Sequence, residues 1–493
     1  MTHADSGRKP PSGKPVDIGE LNRRATLECK QPGPGTAARL SFDDIIVMDE
    51  YKTVCELLTA GCPVVFVTGN AGTGKSTLIR YLRHVIEKQT VVLAPTGVAA
   101  LNVEGVTIHS FFHFPPRILE EDDIKLVRDR KLYRKLELLI IDEVSMVRCD
   151  LMDSVDRFLR KNRGSSAPFG GVQLLLIGDL FQLPPVVPRQ EWDVLEARGY
   201  ASPHFFSAFG LQGASLVPVE LTSVYRQEDI AFVDLLNRVR VGDDVDEVTA
   251  ALNRQCYAQS TERADITLTC TNNQADTINR EELQRLPSPE HSFLGSIEGR
   301  FSLEHDRLPS PIDLRLKENA RVMFTKNDEQ RRWVNGTMGI VRELDAGGIL
   351  VEVTSQSGGL VHDVTPVTWE TYKYSYDPGK DQIVSEPIGK YTQYPLMLAW
   401  AVTIHKSQGK TMDNVLVDLG TGAFASGQAY VALSRCRSLE GMRLARAIRP
   451  TDIMSDPLVK RFYLALAEMI GQPEQKPLPQ VQLEENSKGG AGT

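Results

Sequence analysis

The eight residues Gly69-Asn-Ala-Gly-Thr-Gly-Lys75-Ser76 constrain this chain more than any other stretch. They follow an apolar run, VVFVTG, and precede a segment with helical spacing, TLIRYLRHVIEK. A glycine-rich turn between a buried strand and a helix N-terminus aims consecutive backbone N–H groups at one point, where they can cradle phosphates. In that arrangement Lys75 neutralises the β and γ oxygens and Ser76 ligates magnesium. Gly69, Asn70, Ala71, Gly72, Thr73, Gly74, Lys75, Ser76 and Thr77 are therefore the expected nucleotide-binding residues, with ATP and Mg2+ as cofactors. A loop of this kind needs a parallel sheet around it.

The chain supplies the other strands. TVVLAP, LELLIIDE and VQLLLIGD are short, apolar and ended by Pro or an acid, as central strands buried on both faces are. Asp142 and Glu143 close the second of these runs, at the strand edge where ligands of open α/β sheets bind. There Asp142 would hold the magnesium and Glu143 would orient and deprotonate the attacking water. Gln182 follows the last run on a stretch stiffened by Pro184 and Pro185, placed to sense the γ-phosphate. Arg226 in LTSVYRQ and Arg435 in YVALSRCR lie far along the chain. Taken singly each reads as a surface arginine, but a hydrolysis site between two domains needs cations for the transition-state charge.

The 493 residues carry a net charge of -8, with seven cysteines and no CxxC spacing. The length implies about two to four domains. The cysteines form neither a disulfide framework nor a zinc site. No apolar run reaches the roughly 18 residues of a membrane span, and the first thirty residues lack a signal-peptide core, so the expected location is cytoplasmic. Met1 to Arg39 holds seven basic and four acidic residues. The remainder is therefore acidic, and any nucleic-acid binding has to be concentrated in a groove.

The sequence divides as follows. Residues 1–40 and 471–493 read as flexible tails. Residues 41–216 form a first α/β domain with a small wedge insertion at about 111–130. A second α/β domain occupies 217–326 and 393–470, interrupted at 327–392 by alternating β-branched strands that suggest a small antiparallel barrel.

Together, GNAGTGKST, APTGVAA with GVTIHSFF, IIDEVSMV, PFGGVQLLLIGDLFQLPPV, LTSVYRQ, AWAVTIHKSQGKT and GQAYVALSRCR resemble, in that order, the motifs of Pif-type DNA helicases. These belong to the 5′-to-3′, RecD-like group of superfamily one. The resemblance spans about residues 42–446. It implies two RecA-like P-loop domains, with ATP between them and single-stranded DNA across their tops. It assigns Lys75, Asp142, Glu143, Gln182, Arg226 and Arg435 to catalysis, with the two arginines as fingers, and adds Gly409 to the nucleotide site. For DNA it points to Pro95, Thr96, Gly97, His109, Phe111, Thr271, Asn272, Thr403, His405 and Lys406. His109 and Phe111 offer rings for base stacking, whereas core packing is the alternative for the phenylalanines of HSFFHF.

The expected activity is ATP-driven 5′-to-3′ translocation on single-stranded DNA with unwinding of duplex or folded DNA. The alternative is a DNA-stimulated ATPase acting as a binding switch or as a RecD-like subunit. Single-stranded DNA and single-strand/duplex junctions are the implied partners. G-quadruplexes and RNA-DNA hybrids are open candidates, and the expected protein is a nucleoid-associated bacterial monomer that can dimerise on DNA. One departure stands out: Lys52 occupies the position, seventeen residues before the loop, where members of the family often carry an adenine-reading glutamine.

Overall fold

The structure is a computed structural model describing residues 47–222, 229–257, 264–301, 308–330, 332–345, 348–353 and 359–470. Both expected tails and Arg226 lie outside the described residues.

Helix α1 (Asp49–Thr59) leads into β1 (Val64–Gly69), α2 (Lys75–Val85) and β2 (Thr90–Ala94). Then come α3 (Gly97–Asn102), β3 (Val106–Thr107), α4 (Ile108–Phe112), β4 (Leu138–Ile141), α5 (Cys149–Arg163), β5 (Gln173–Ile177) and β6 (Leu216–Leu221). The six strands form one parallel sheet in the order β3-β2-β4-β5-β1-β6. Its middle strands are buried from end to end, as the apolar runs require of strands covered by helices on both faces. Pro218 sits in the edge strand β6, where a missing N–H costs no ladder bond. The expected boundary at 216/217 therefore falls too early, because residues 216–221 pair along β1.

The second body follows with α6 (Ile230–Val241), β7 (Ile266–Thr269) and α7 (Asn272–Arg285). After the β insertion it resumes with β8 (Ala401–Thr403), α8 (Ile404–Ser407), β9 (Val415–Asp418), α9 (Gln428–Leu433) and β10 (Met442–Leu444). Its four strands are parallel, in the order β8-β7-β9-β10, over their own apolar cluster. The last helix, α10 (Pro457–Ile470), departs from the expected division. Val459, Phe462 and Leu466 belong to the core of the first body, because three aromatic rings there, Phe66, Phe205 and Phe206, complete their burial around Phe462.

The inserted segment consists of two antiparallel sheets. One has five strands in the order Leu360–Val364, Gly348–Val353, Met338–Asp345, Arg321–Phe324 and Leu396–Leu398. The other pairs the long hairpin Val367–Asp377/Gln382–Gln393 with Ser296–Gly299. Strands from outside 327–392 thus complete both. The hairpin reaches the first body. Tyr374 enters its core beside Phe111, Asp381 pairs with Lys135 at 2.6 Å, and Ile383 N–H donates to Gln89 Oε1 at 2.7 Å.

Candidate nucleotide and nucleic-acid sites

The phosphate loop is shaped by close approach. Gly69 (φ 151°) and Gly74 (φ 88°) both lie in the region that favours glycine. A Cβ on Gly69 would come within 2.6 Å of Leu221 O, and one on Gly74 within 2.5 Å of the Tyr51 hydroxyl. That hydroxyl donates to Gly74 O at 2.7 Å and ties α1 to the loop. Helix α2 carries no acid in its first turn, so nothing on it opposes an anion at its N-terminus. Lys75 Nζ donates to Gly69 O (2.7 Å) and Asn70 O (2.9 Å). Burial pushes the Lys75 pKa down, while Asp179, Glu143 and Asp142 hold it up.

Asp142 is buried at the end of β4, and Glu143 beside it takes a left-handed backbone (φ 49°, ψ 43°). This conformation is uncommon for a residue with a Cβ, and such strain persists only where surrounding structure imposes it. Burial, then the Glu143 charge, lifts the Asp142 carboxyl well above its usual range. Burial also raises Glu143, against the pull of Lys75 and Arg435. A hydroxyl at the helix start and, once it ionises, the Asp142 carboxylate make an oxygen donor set of the kind magnesium takes.

Gln182 is buried, and the second body meets it directly. Gln408, one residue past α8, gives its Nε2 to Glu143 Oε2 at 3.1 Å and to Gln182 Oε1 at 3.3 Å. Gly409 follows with φ 78°, turning the chain away after that contact. Arg435 is 1% exposed, which overturns the surface-arginine reading. Its Nε donates to Val431 O and its Nη2 to Ser434 Oγ, both at 2.9 Å, and its charge acts on Glu143. Tyr430 of α9 accepts the Ala71 N–H at 3.2 Å, and Asn70 Nδ2 donates to Asn237 Oδ1 on α6 at 2.7 Å. The phosphate loop is therefore gripped from the second body at two points.

Asp179, Arg240, Gln408, Tyr430 and Asn237 were not legible as site residues. Arg240 on α6 reaches the fully buried Asp179 (Nη2 to Oδ1, 2.9 Å), and Asp179 Oδ2 accepts from Gln182 Nε2 at 3.3 Å. No motif marks Arg240 in the run NRVRVG. Only the proximity of Gln408 to Lys406 in HKSQGK offered a signal. Lys52 is exposed and paired with Asp49 at 2.9 Å.

The residues expected to meet DNA share one local plan. Thr96 and Thr271 each follow a parallel strand, Thr403 ends one, and all three cap a helix, accepting from Ala99 N–H (3.2 Å), Gln274 N–H (3.4 Å) and Lys406 N–H (3.3 Å). Thr107 does the same ahead of His109, accepting from Ser110 N–H at 3.2 Å. The hydroxyls are thereby spent on capping, and Thr403 is itself buried. What the strand edges present is helix N-termini, with Pro95 and Gly97 half-buried and Asn272 and Lys406 exposed. His109 and His405 are half-buried. Burial lowers both imidazole pKa values, joined at His109 by the Arg148 charge. Phe111 is the exception. It is 6% exposed, packed on the rings of Phe112 (4.8 Å), Tyr133 (5.5 Å) and Tyr374 (5.9 Å). Its ring belongs to the core, and it is not available to stack on a base.

Residues 46–250 match the family model described as PIF1-like helicase. The human ATP-dependent DNA helicase PIF1 is 36% identical over 448 residues, covering 88% of this chain and 65% of that protein. The chain thus spans just under two thirds of that relative. Pif1 of Bdellovibrio bacteriovorus is 33% identical over 87% of this chain and 94% of its own length. A Bacteroides Pif1 in complex with ADP-AlF4 superposes with a TM-score of 0.79 at 36% identity, over 86% of this chain and 98% of that one. The Bacteroides enzyme in complex with ADP-AlF3 and single-stranded DNA gives 0.61 at the same identity and coverage. Among the described residues no helix is long and apolar enough to cross a membrane.

Proposed function

Because the chain belongs to the PIF1-like helicase family, we propose that it is an ATP-dependent DNA helicase moving 5′ to 3′ on single-stranded DNA and opening duplex or folded DNA ahead of it. One observation carries this reading. The short segment that presents His405 and Lys406 at a strand edge continues, within three residues, into Gln408, whose amide bridges Glu143 and Gln182. A change at the γ-phosphate therefore pulls on the same segment that would hold the DNA. That is the linkage a translocating motor needs.

In this reading the chain divides into two RecA-like bodies with the inserted β segment between the halves of the second. Lys75 and the loop N–H groups bind the phosphates of ATP. Ser76 and Asp142 would hold Mg2+, which supplies charge neutralisation at the phosphates. Glu143, fixed in its strained turn, orients the attacking water and accepts its proton. Gln182 reports the γ-phosphate through Gln408. Arg435, and Arg226 by family resemblance, stabilise the charge that develops in transfer. The helix N-termini capped by Thr96, Thr271 and Thr403 receive DNA phosphates through backbone N–H groups. Lys406 adds charge, and His109 and His405 add stacking faces. Phe111 has no place in this set. G-quadruplexes and RNA-DNA hybrids are candidate substrates, and so are single-strand/duplex forks, for a solved structure 35% identical to this chain is described as Pif1 helicases unwinding forked duplex DNA.

Glu143→Gln tests the assignment. It should keep ATP and single-stranded DNA binding and lower DNA-stimulated hydrolysis by about 10²- to 10⁴-fold, the range for losing a general base. Normal turnover by this variant refutes the role. Unwinding of a duplex with a 5′ overhang and not of one with a 3′ overhang tests direction. DNA-stimulated hydrolysis without strand separation would point to a binding switch.

A further inference from the structure

Helix α10 makes a contact that packing alone does not require. Phe462 is filler: it stacks on Phe206 at 4.4 Å within the first body. Tyr463, its neighbour, stacks on Phe181 (4.7 Å, 16° between planes), which a phenylalanine would do equally well. Its hydroxyl does more. It lies 2.5 Å from Thr68 Oγ1 and accepts the Leu180 N–H at 3.2 Å.

Those two partners sit at the launch points of the nucleotide site. Thr68 is buried and immediately precedes Gly69, where the phosphate loop begins. Leu180 lies two residues before Gln182. The strands behind them, β1 and β5, run side by side, but their ladder ends at Val67 and Ile177. Beyond that point the Tyr463 hydroxyl joins the two departing loops, and α10 delivers it from nearly four hundred residues away in sequence. Arg240 of the second body lies over the rings of Phe181 (4.6 Å) and Tyr463 (5.5 Å) while bonded to Asp179.

We propose that Tyr463 is a positioning residue of the nucleotide site, whose hydroxyl holds the phosphate loop and the Gln182 loop in register, so that Lys75 and Gln182 address the same γ-phosphate. This rests on the reading of the site as ATP-hydrolysing. The helix is then a working part of the motor, and what it fixes is the spacing between two loops of the other body.

The experiment uses the full chain. Tyr463→Phe removes one oxygen and keeps the ring. Steady-state hydrolysis with single-stranded DNA should show kcat lowered about tenfold, within the range that sub-ångström to 1 Å misplacement of reacting groups produces. KM for ATP should stay within about twofold, since phosphate-binding contacts are not removed. Thr68→Val should give the same split. The double variant should be no worse than Tyr463→Phe alone, because the bond that Thr68→Val removes is already lost in it. Unchanged kcat in both single variants overturns the proposal, as does full additivity, or a loss of kcat that only tracks a loss of melting temperature. Absence of DNA-stimulated hydrolysis in the unmodified chain would instead refute the ATPase reading beneath it.

Discussion

Arg240→Met cuts an ion pair that joins α6 of the second body to the buried edge of the first sheet. Asp179 is fully buried and Arg240 is 9% exposed, so removal of the guanidinium strands a carboxylate away from water. Burial by itself lowers the Arg240 pKa, but the Asp179 charge and hydrogen bond, together with Tyr463 and Tyr430, outweigh it and the net shift is upward. The remaining hydrogen-bond partners of Asp179, Phe181 N–H at 3.2 Å and Gln182 Nε2 at 3.3 Å, carry no charge, which leaves Lys75 as the cation acting on it. Breaking a buried pair from one side costs about 3–5 kcal/mol. Methionine retains the apolar contact with Phe181, so the loss reports mainly the charge. With a denaturant slope of about 2 kcal/mol/M, the urea midpoint should fall by about 1.5–2.5 M. Asp179→Asn in the same background removes the stranded charge and should recover at least half of that. Equilibrium urea denaturation followed by tryptophan fluorescence measures both variants and the pair. A fall below about 0.5 M for Arg240→Met, or a double variant whose loss equals the sum of the singles, would show that the pair is not coupled in the way its geometry requires.

Two further outcomes follow from the site. Phe111→Ala should cost about 3–5 kcal/mol of stability, the usual price of truncating a buried phenylalanine, with single-stranded DNA affinity of the folded protein unchanged; a selective loss of DNA affinity at full stability would return Phe111 to the DNA site. Asp142 is held protonated above its ordinary 3.8, up to about 7, by burial and Glu143, whereas a metal needs it ionised. Binding of magnesium-nucleotide at pH 6 should therefore release a proton, and apparent affinity should rise with pH until about 7 and then level off. Calorimetry in buffers of different ionisation enthalpy reads this directly, and no proton release at pH 6 would contradict the raised carboxyl.

Local chemistry determined what the sequence alone could reveal. A glycine loop, the strands that feed it and the acids that end them are specified within a few residues, because a buried strand must be apolar and a phosphate cradle must be glycine-rich. Val64–Gly69 and Thr90–Ala94 were legible almost to the residue for that reason, and so was the gathering of Lys75, Asp142, Glu143 and Gln182 in one place. Tertiary structure decided everything that depends on which distant surface covers a side chain. Whether Phe111 stacks on a base or on Tyr133 and Tyr374 is a matter of who its neighbours are, and Tyr374 arrives from the far end of an inserted hairpin. The same holds for Arg240, an arginine without a motif until Asp179 is beside it. It holds equally for α10, which the sequence assigns to the second domain and the first body buries. Periodicity records that a face must leave water; only the folded chain fixes what it leaves water for.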